Sequence, residues 1–144
     1  MEVMSDEKEL AVKTMVVFAK SQRTVESKVT GIFKKYGVTP TQFSALDTLY
    51  KKGDLKICQM IDSMIATSGN MTVVIKNMER HGWVKRHKAA DDARSFVVSL
   101  TEQGRALVET IMPEHEANVA SIFSVLTVEE QKTMLKLLKK FREV

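Results

Sequence analysis

The chain has 144 residues, of which 44% are hydrophobic and 28% charged, so it can form one globular domain with a sizeable core. No apolar run approaches the roughly 20 residues of a membrane-spanning helix, residues 1–7 are too acidic for a signal peptide, and one cysteine allows no internal disulfide, so we expect a cytoplasmic protein. Residues 51–100 hold nine Lys or Arg against five Asp or Glu, a net +4, which suggests a polyanion partner, although this charge taken alone favours a solvated lysine-rich surface.

Capping signals predict two helices in the first third of the chain. Ser5 can cap a long first helix that runs toward Tyr36 and ends at Gly37. The second helix starts with a capping box and an early proline, formed by Thr39, Pro40 and Gln42. We expect Gly53 to close this helix and Asp54 to cap the next one.

Helical periodicity predicts a helix-turn-helix in the middle of the chain. Apolar residues recur at helical spacing at Ile57, Met60, Ile61 and Met64, and again at Met71, Val74, Ile75 and Met78. Thr67 is the expected N-cap of the second of these helices, and Gly82 is its expected end. Two short helices joined by a few residues form the motif.

A basic hairpin and two further helices follow. Residues 83–84 open a strand, residues 88–92 form a charged tip, and residues 95–100 form a second strand. Thr101 can cap the next helix, which Pro113 should kink or break. The last helix starts at another capping box, formed by Thr127 and Glu130. A helix with a polar outer face followed by a basic hairpin is typical of a winged helix-turn-helix.

Two spaced motifs in this segment resemble a known family. Asp92-Ala93-Arg94, five residues, Leu100-Thr101, two residues and Gly104 fit the pattern D-x-R-x5-L-T-x2-G, which marks the wing of the MarR family of bacterial transcriptional regulators. Residues 78–84, MERHGWV, are similar to that family's L-E-x-x-G-hydrophobic-V at the end of the recognition helix. The resemblance extends over nearly the whole chain, since family members are single domains of about this length.

The resemblance implies a mainly α fold with a small β-hairpin. We expect a single MarR-type domain over residues 1–144, with dimerisation helices at about 5–36 and 101–143 and a winged helix-turn-helix at about 39–100. The apolar stripes of the terminal helices could pack within the chain, but the resemblance favours a homodimer. A two-fold dimer presents two recognition helices about one DNA turn apart, so the operator should be a pseudo-palindrome.

The outer face of the recognition helix supplies the candidate base contacts. It comprises Ser68, Gly69, Asn70, Thr72, Val73, Lys76, Asn77 and Arg80. Asn70 can pair with an adenine edge, and Thr72 can meet a phosphate or a base. Val73 stands where family members often have arginine, and it either touches a thymine methyl or belongs to the core of a slightly rotated helix. Lys76 stands where the family often has aspartate.

The wing supplies the other candidate contacts. By the resemblance, Arg94 enters the minor groove, whose negative floor attracts it. Asp92 could orient Arg94 or brace the hairpin. The residues expected at phosphates are Lys85, Arg86, His87 and Lys88. A merely solvated hairpin would have the same composition.

The resemblance further implies a repressor that a small apolar or phenolic ligand releases, binding in a cleft between the dimer helices and the winged module. One alternative is a redox switch at Cys58, which we expect instead to pack as a small buried hydrophobe. Another is a winged module that binds proteins and not DNA. No nucleophile motif, phosphate loop or chelating set of histidines is present in the sequence, so we expect neither an enzyme nor a metal or cofactor site.

Overall fold

The computed structural model describes the backbone of residues 2–143 except 66, 68 and 93, and the side chains of residues 5–142 among these. Its α-helices are α1 Glu2–Thr30, α2 Pro40–Lys52, α3 Ile57–Ser63, α4 Met71–Arg80, α5 Glu102–Phe123 and α6 Val128–Lys139. Its strands are β1 Leu55–Lys56, β2 Val84–Lys88 and β3 Phe96–Leu100, and short 3-10 turns cover Phe33–Tyr36 and Lys140–Glu143. The chain forms two compact units, residues 32–115 and residues 1–31 with 116–144. Within the described part, no helix is long and apolar enough to cross a membrane.

The hydrophobic core lies in the central unit, residues 32–115. Its largest fully buried side chains are Leu46, Leu49, Met60, Ile75, Met78, Val98, Val108 and Ile111. An antiparallel sheet of order β1-β3-β2 borders this core, and Val84 pairs with Leu100 while Leu55 pairs with Val98. The unit is therefore a winged helix-turn-helix with mainly helical structure, as the sequence predicts.

The end of α4 and the start of α5 are joined by a dense set of hydrogen bonds. Gly82 has φ +80°, and the N–H groups of Gly82 and Trp83 donate to the carbonyls of Glu79 (2.9 Å) and Met78 (3.1 Å), which is the Schellman pattern expected of a helix that ends at glycine. The Thr101 hydroxyl donates to the Gly82 carbonyl at 2.6 Å and accepts from the Gly104 N–H at 3.0 Å. The predicted roles of Gly82 and Thr101 are both confirmed.

The predicted bounds of the first helix are wrong at both ends. The helix begins at Glu2, so Ser5 lies inside it and caps nothing. It ends at Thr30, before Gly31, and the 3-10 turn then carries the chain to Gly37, whose φ is +70°. Glycine costs roughly 1 kcal/mol in a helix, and leaving the helix at Gly31 lets Phe33 turn into the core.

Two predicted caps are also wrong. Leu55 and Lys56 pair with β3, so α3 cannot begin until Ile57, and Lys56 rather than Asp54 occupies its N-cap position. At α4 the cap is Asn70, whose Oδ1 accepts from the N–H of Val73 at 3.3 Å, and not Thr67. Asparagine caps at least as well as threonine, and Asn70 directly precedes the first buried residue of the helix. The boxes at Thr39 and Thr127 form as predicted.

Pro113 does not break its helix, because α5 is continuous from Glu102 to Phe123. Proline removes one helical hydrogen bond, at a cost of about 3 kcal/mol in an isolated helix. Here the turn before it buries Ile111 in the core, and the next residue, Glu114, accepts from the Lys35 ammonium at 2.6 Å and the Tyr36 hydroxyl at 3.0 Å. The Lys35 ammonium also lowers the pKa of the Glu114 carboxyl. Tertiary contacts on both sides of Pro113 thus hold the helix together.

The terminal unit differs sharply from the central one, because none of its described side chains is buried. Leu10, Met15 and Phe18 of α1 are 64%, 60% and 51% exposed, and Leu137 and Phe141 near the C-terminus are 52% and 67% exposed. The rings of Phe18 and Phe141 stack with centroids 6.2 Å apart, and the Asn118 amide donates to the Lys28 carbonyl at 3.1 Å. This unit leaves a large apolar surface open to water.

We predict that Gly104→Ala destabilises the protein by at least about 2 kcal/mol, the usual scale for overpacking. A Cβ at this position would lie 2.0 Å from the carbonyl oxygen of Trp83, so backbone must move. The fluorescence of Trp83, the single tryptophan, can follow urea unfolding. Gly69→Ala is the matched control, because no atom lies within 4 Å of its Cβ position. Equal free energies of unfolding for the two variants at one protein concentration would contradict the prediction.

Candidate nucleic-acid interface

Helix α4 separates its side chains into a buried and an exposed face. Met71, Ile75 and Met78 are buried in the core. The exposed side chains on the other side are Asn70, Thr72, Val73, Lys76 and Arg80. Ser68, also predicted for this face, lies outside the described residues. The core fixes the rotation of the helix, so its polar face is turned outward.

Val73 lies on this outer face and not in the core. Its side chain is 48% exposed, so the alternative in which it packs inside a rotated helix is wrong. The physical reason is the burial of Ile75, two positions later and therefore about 200° further round the helix. Near the other end, Arg80 donates to the Asn77 amide oxygen at 3.3 Å, which restrains an otherwise mobile guanidinium.

Asn70 caps helix α4, a structural role that the sequence analysis did not predict. Its Oδ1 caps the helix through the Val73 N–H, so one acceptor position of the amide is occupied. Pairing with adenine in two hydrogen bonds needs both the oxygen and the nitrogen of the amide. The capping geometry therefore leaves mainly the two N–H donors of Asn70 for a partner.

The basic residues of strand β2 differ in their exposure. Lys85, His87 and Lys88 are exposed, whereas Arg86 is partly buried. The Arg86 Nε lies 2.7 Å from the Glu79 carboxylate, and its guanidinium stacks over the Phe96 ring at 5.2 Å from the centroid. Arg86 thus ties the wing to the end of α4, and its charge is already balanced.

The strands leave a longer tip than the predicted residues 88–92, and its described residues are 89–92 and 94–95. The hydrogen bonds of this tip centre on Asp92. Its carboxylate accepts from the backbone N–H of Arg94 and from the Ser95 hydroxyl, both at 2.9 Å. The Arg94 N–H is the main cause that lowers the pKa of the Asp92 carboxyl, so the acceptor of this turn is ionised at neutral pH. Of the two roles expected for Asp92, bracing the hairpin is the one these contacts describe. The side chain of Arg94 is exposed.

The tip also has a contact that no sequence pattern indicates. The Lys56 ammonium pairs with the Asp91 carboxylate at 3.1 Å, although the two residues lie 35 positions apart. Lys56 belongs to β1, a two-residue strand that is too short for periodicity to reveal. The pair links the wing tip to the start of α3.

The residues considered for redox or metal chemistry are dispersed. Cys58 is exposed, so its predicted packing role is wrong. It lies two positions from the buried Met60 and hence on the opposite face of α3. His81 stacks on Trp83 with centroids 4.2 Å apart, and His115 packs near the rings of Phe33 and Phe43. Across the described residues, no three of His, Cys, Asp or Glu are grouped to hold a metal ion.

Comparison with known proteins identifies the relatives of this chain. Residues 38–96 match the model of the MarR family. The chain is 35% identical over 135 residues to the uncharacterized HTH-type transcriptional regulator YkoM of Bacillus subtilis (strain 168), covering 94% of this chain and 88% of that protein. It is 30% identical over 132 residues to the HTH-type transcriptional regulator MhqR of the same organism, covering 92% and 91%.

A solved structure shares the fold. The crystal structure of a MepR–DNA complex from S. aureus superposes with a TM-score of 0.77 at 22% identity, covering 90% of this chain and 96% of that one. The similarity to YkoM and MhqR extends over both compact units. The chain therefore belongs to the MarR family and is a sequence-specific DNA-binding transcriptional regulator, not an enzyme.

Proposed function

We propose that this regulator is a cytoplasmic homodimeric repressor that binds a pseudo-palindromic operator through α4 and the wing and releases it when a small apolar or phenolic effector binds. The observation that carries the proposal is the outward polar face of α4, whose opposite face is locked into the core. A helix supported in this way can enter a major groove without a change in its fold.

In this proposal the outer face of α4 reads the major groove. Lys76 and Arg80 are exposed cations one turn apart, suited to guanine or to phosphate. Val73, 48% exposed, offers a methyl surface to a thymine methyl. We assign the Asn70 N–H donors to a phosphate or a base acceptor, since its oxygen caps the helix. Ser68 and Thr72 complete the proposed surface.

The wing then follows the neighbouring minor groove. Arg94 stands on a turn held by Asp92 and has an exposed side chain, as a minor-groove arginine requires. Lys85 and Lys88 are exposed and suited to phosphates, which position a protein without reading sequence. We leave Arg86 out of the contact set because Glu79 already balances its charge.

The terminal unit supports the proposed dimer. A groove of about 1190 Å³ runs between α1 and the C-terminal helix. Its apolar lining consists of Leu10, Ala11, Met15, Phe18, Leu126, Met134, Leu137, Leu138 and Phe141. A monomer rarely leaves so continuous an apolar surface in water, and a second copy would cover both surfaces at once by two-fold symmetry. Holding two half-sites together, the dimer would also set the spacing of the operator.

Repression and effector release rest on membership of the family. Physically, an effector can shift DNA affinity only by the difference between its affinities for the bound and released shapes. The methionines Met60, Met64, Met71 and Met78 are buried in the core, so these four are not available to line a ligand cleft. Transcription from a template with its own operator, measured with and without phenolic compounds, tests both points. Activation by the protein alone would overturn the repressor assignment.

We predict that Arg94→Ala weakens operator binding by about 1–3 kcal/mol per wing, the range of an arginine contact to DNA. Fluorescence anisotropy on an operator selected from the host genome would measure it. Lys88→Ala is the matched control, since it removes one exposed cation from the same hairpin and should cost less. Asp92→Ala should show a weaker defect, because it loosens the turn under Arg94 but keeps the guanidinium.

The double variant of Asp92 and Arg94 should bind no worse than Arg94→Ala if Asp92 acts only through Arg94. Equal affinities for the natural protein and Arg94→Ala would mean that the wing does not read this DNA. Binding that is insensitive to salt would instead favour a module that binds protein, since phosphate contacts release counterions.

We predict that the protein is a dimer at micromolar concentration and that Leu137→Asp converts it to a monomer with lower operator affinity. Leu137 lines the groove and is 52% exposed in one chain, so aspartate there should leave the central core intact. Lys136→Asp is the control, an exposed neighbour on the same helix that does not line the groove. Light scattering should return twice the chain mass of 16.3 kDa for the natural protein and the control. A stable 16.3 kDa species for the natural protein would refute the dimer.

A further inference from the structure

The wing tip is internally folded, but its internal bonds do not fix where it lies. Asp92 holds Arg94 and Ser95, and the Ala89 N–H donates to the Ser95 carbonyl at 3.0 Å. Each of these bonds joins two residues of the tip. Among the described residues, the one ion pair that joins the tip to the rest of the central unit is Lys56 with Asp91, at 3.1 Å.

Lys56 provides a rigid base for this pair. Its backbone is paired with Val97 of β3, and its N–H donates to the Gln59 side-chain oxygen at 2.9 Å. The Lys56 side chain is only 28% exposed, whereas that of Asp91 is 73% exposed. A lysine that is already restrained loses less conformational entropy when it forms an ion pair. The pair thus joins an exposed carboxylate of the tip to a restrained lysine of the helix-turn-helix.

The Lys56–Asp91 pair also changes the net charge of the segment that carries Arg94. Asp91 and Asp92 place two adjacent carboxylates on the segment that carries Arg94. The Lys56 ammonium lowers the pKa of Asp91, and the backbone N–H of Arg94 lowers that of Asp92, so both are ionised at neutral pH. Two anions beside a phosphate backbone would repel it, and Lys56 balances one of them.

We propose that Lys56 and Asp91 form a latch that docks the wing tip on the start of α3 and so positions Arg94 for DNA. The inference rests on the proposed role of Arg94. Lys56 and Asp91 are positioning residues here, and neither needs to touch the operator. An exposed ion pair contributes little to global stability, so the latch should affect the placement of the tip and not the fold.

The expected fall in operator affinity is limited because an exposed ion pair is weak. Breaking an exposed pair should lower the equilibrium constant for docking of a tip by about 2- to 5-fold, and this factor is the upper limit of the fall in apparent affinity for each wing. A dimer has two wings, so operator affinity should fall by at most about 4- to 25-fold. Urea unfolding should be nearly unchanged.

The test compares Lys56→Met, Asp91→Ala and the double variant on one operator by anisotropy. We expect both single variants to weaken binding and the double variant to bind no worse than Lys56→Met. Lys56→Arg should restore the natural affinity because it keeps the ion pair. Lys51→Met is the matched control, since it removes the same charge from an ion pair with Asp47 on α2, in which the Lys51 side chain is 64% exposed. Tighter binding by Asp91→Ala would overturn the latch, because it would mean that removing the Asp91 charge, or freeing Lys56 for a phosphate, outweighs any docking of the tip.

A measurement on the free protein separates the latch from the role of Arg94. The backbone amide order parameters of Arg94 and Ser95, measured by NMR relaxation, should fall in Lys56→Met and stay unchanged in Lys51→Met, because an undocked tip moves more freely while its internal bonds persist. Unchanged order parameters in Lys56→Met would refute the latch even if DNA affinity fell. If Arg94→Ala binds normally while the order parameters fall in Lys56→Met, the latch stands and the minor-groove proposal fails. If Arg94→Ala weakens binding but Lys56→Met does not, the latch alone fails.

Discussion

The close approach of α5 to the carbonyl of Trp83 is the constraint on which the central unit depends. Gly104 is the residue that permits it, since any Cβ there would overlap the Trp83 oxygen. The Thr101 N–H donates to the same oxygen at 3.1 Å, and the Thr101 hydroxyl reaches the Gly82 carbonyl. One small junction therefore ends α4, closes the wing and starts α5. The spacing of Gly82, Thr101 and Gly104 in the sequence reflects this single point of contact.

Local signals predicted the elements well because their causes are local. The capping boxes at Thr39 and Thr127, the glycine end at Gly82 and the hairpin each depend on residues a few positions apart. The errors arose where distant parts of the chain decide the outcome. Strand β1 exists only because β3 pairs with it, and that pairing moves the cap of α3 from Asp54 to Lys56. Pro113 sits in a continuous helix because Lys35 and Tyr36 hold the residue after it.

The candidate interface likewise has features that follow from the local sequence and features that depend on distant residues. Which residues face outward on α4 follows from helical periodicity, because Met71, Ile75 and Met78 must be buried. Which cations remain available does not follow from it. Arg86 and Lys85 are adjacent in sequence, yet Glu79 balances only Arg86. The engaged oxygen of Asn70 and the pairing of Lys56 with Asp91 likewise depend on three-dimensional neighbours.

The buried core and the proposed dimer surface lie in different units of this chain. The central unit contains the whole buried core of the described residues and can hold α4 in a fixed rotation. The terminal unit buries no described side chain and leaves Leu10, Met15 and Phe141 open to water. A helical unit of that kind gains little from folding alone, because hydrophobic burial is the main favourable term. Its stability would then depend on protein concentration, as expected where assembly and folding are linked. Dimerisation would then both order the terminal helices and bring two copies of α4 together. A monomer would therefore lose operator affinity and terminal helical structure together.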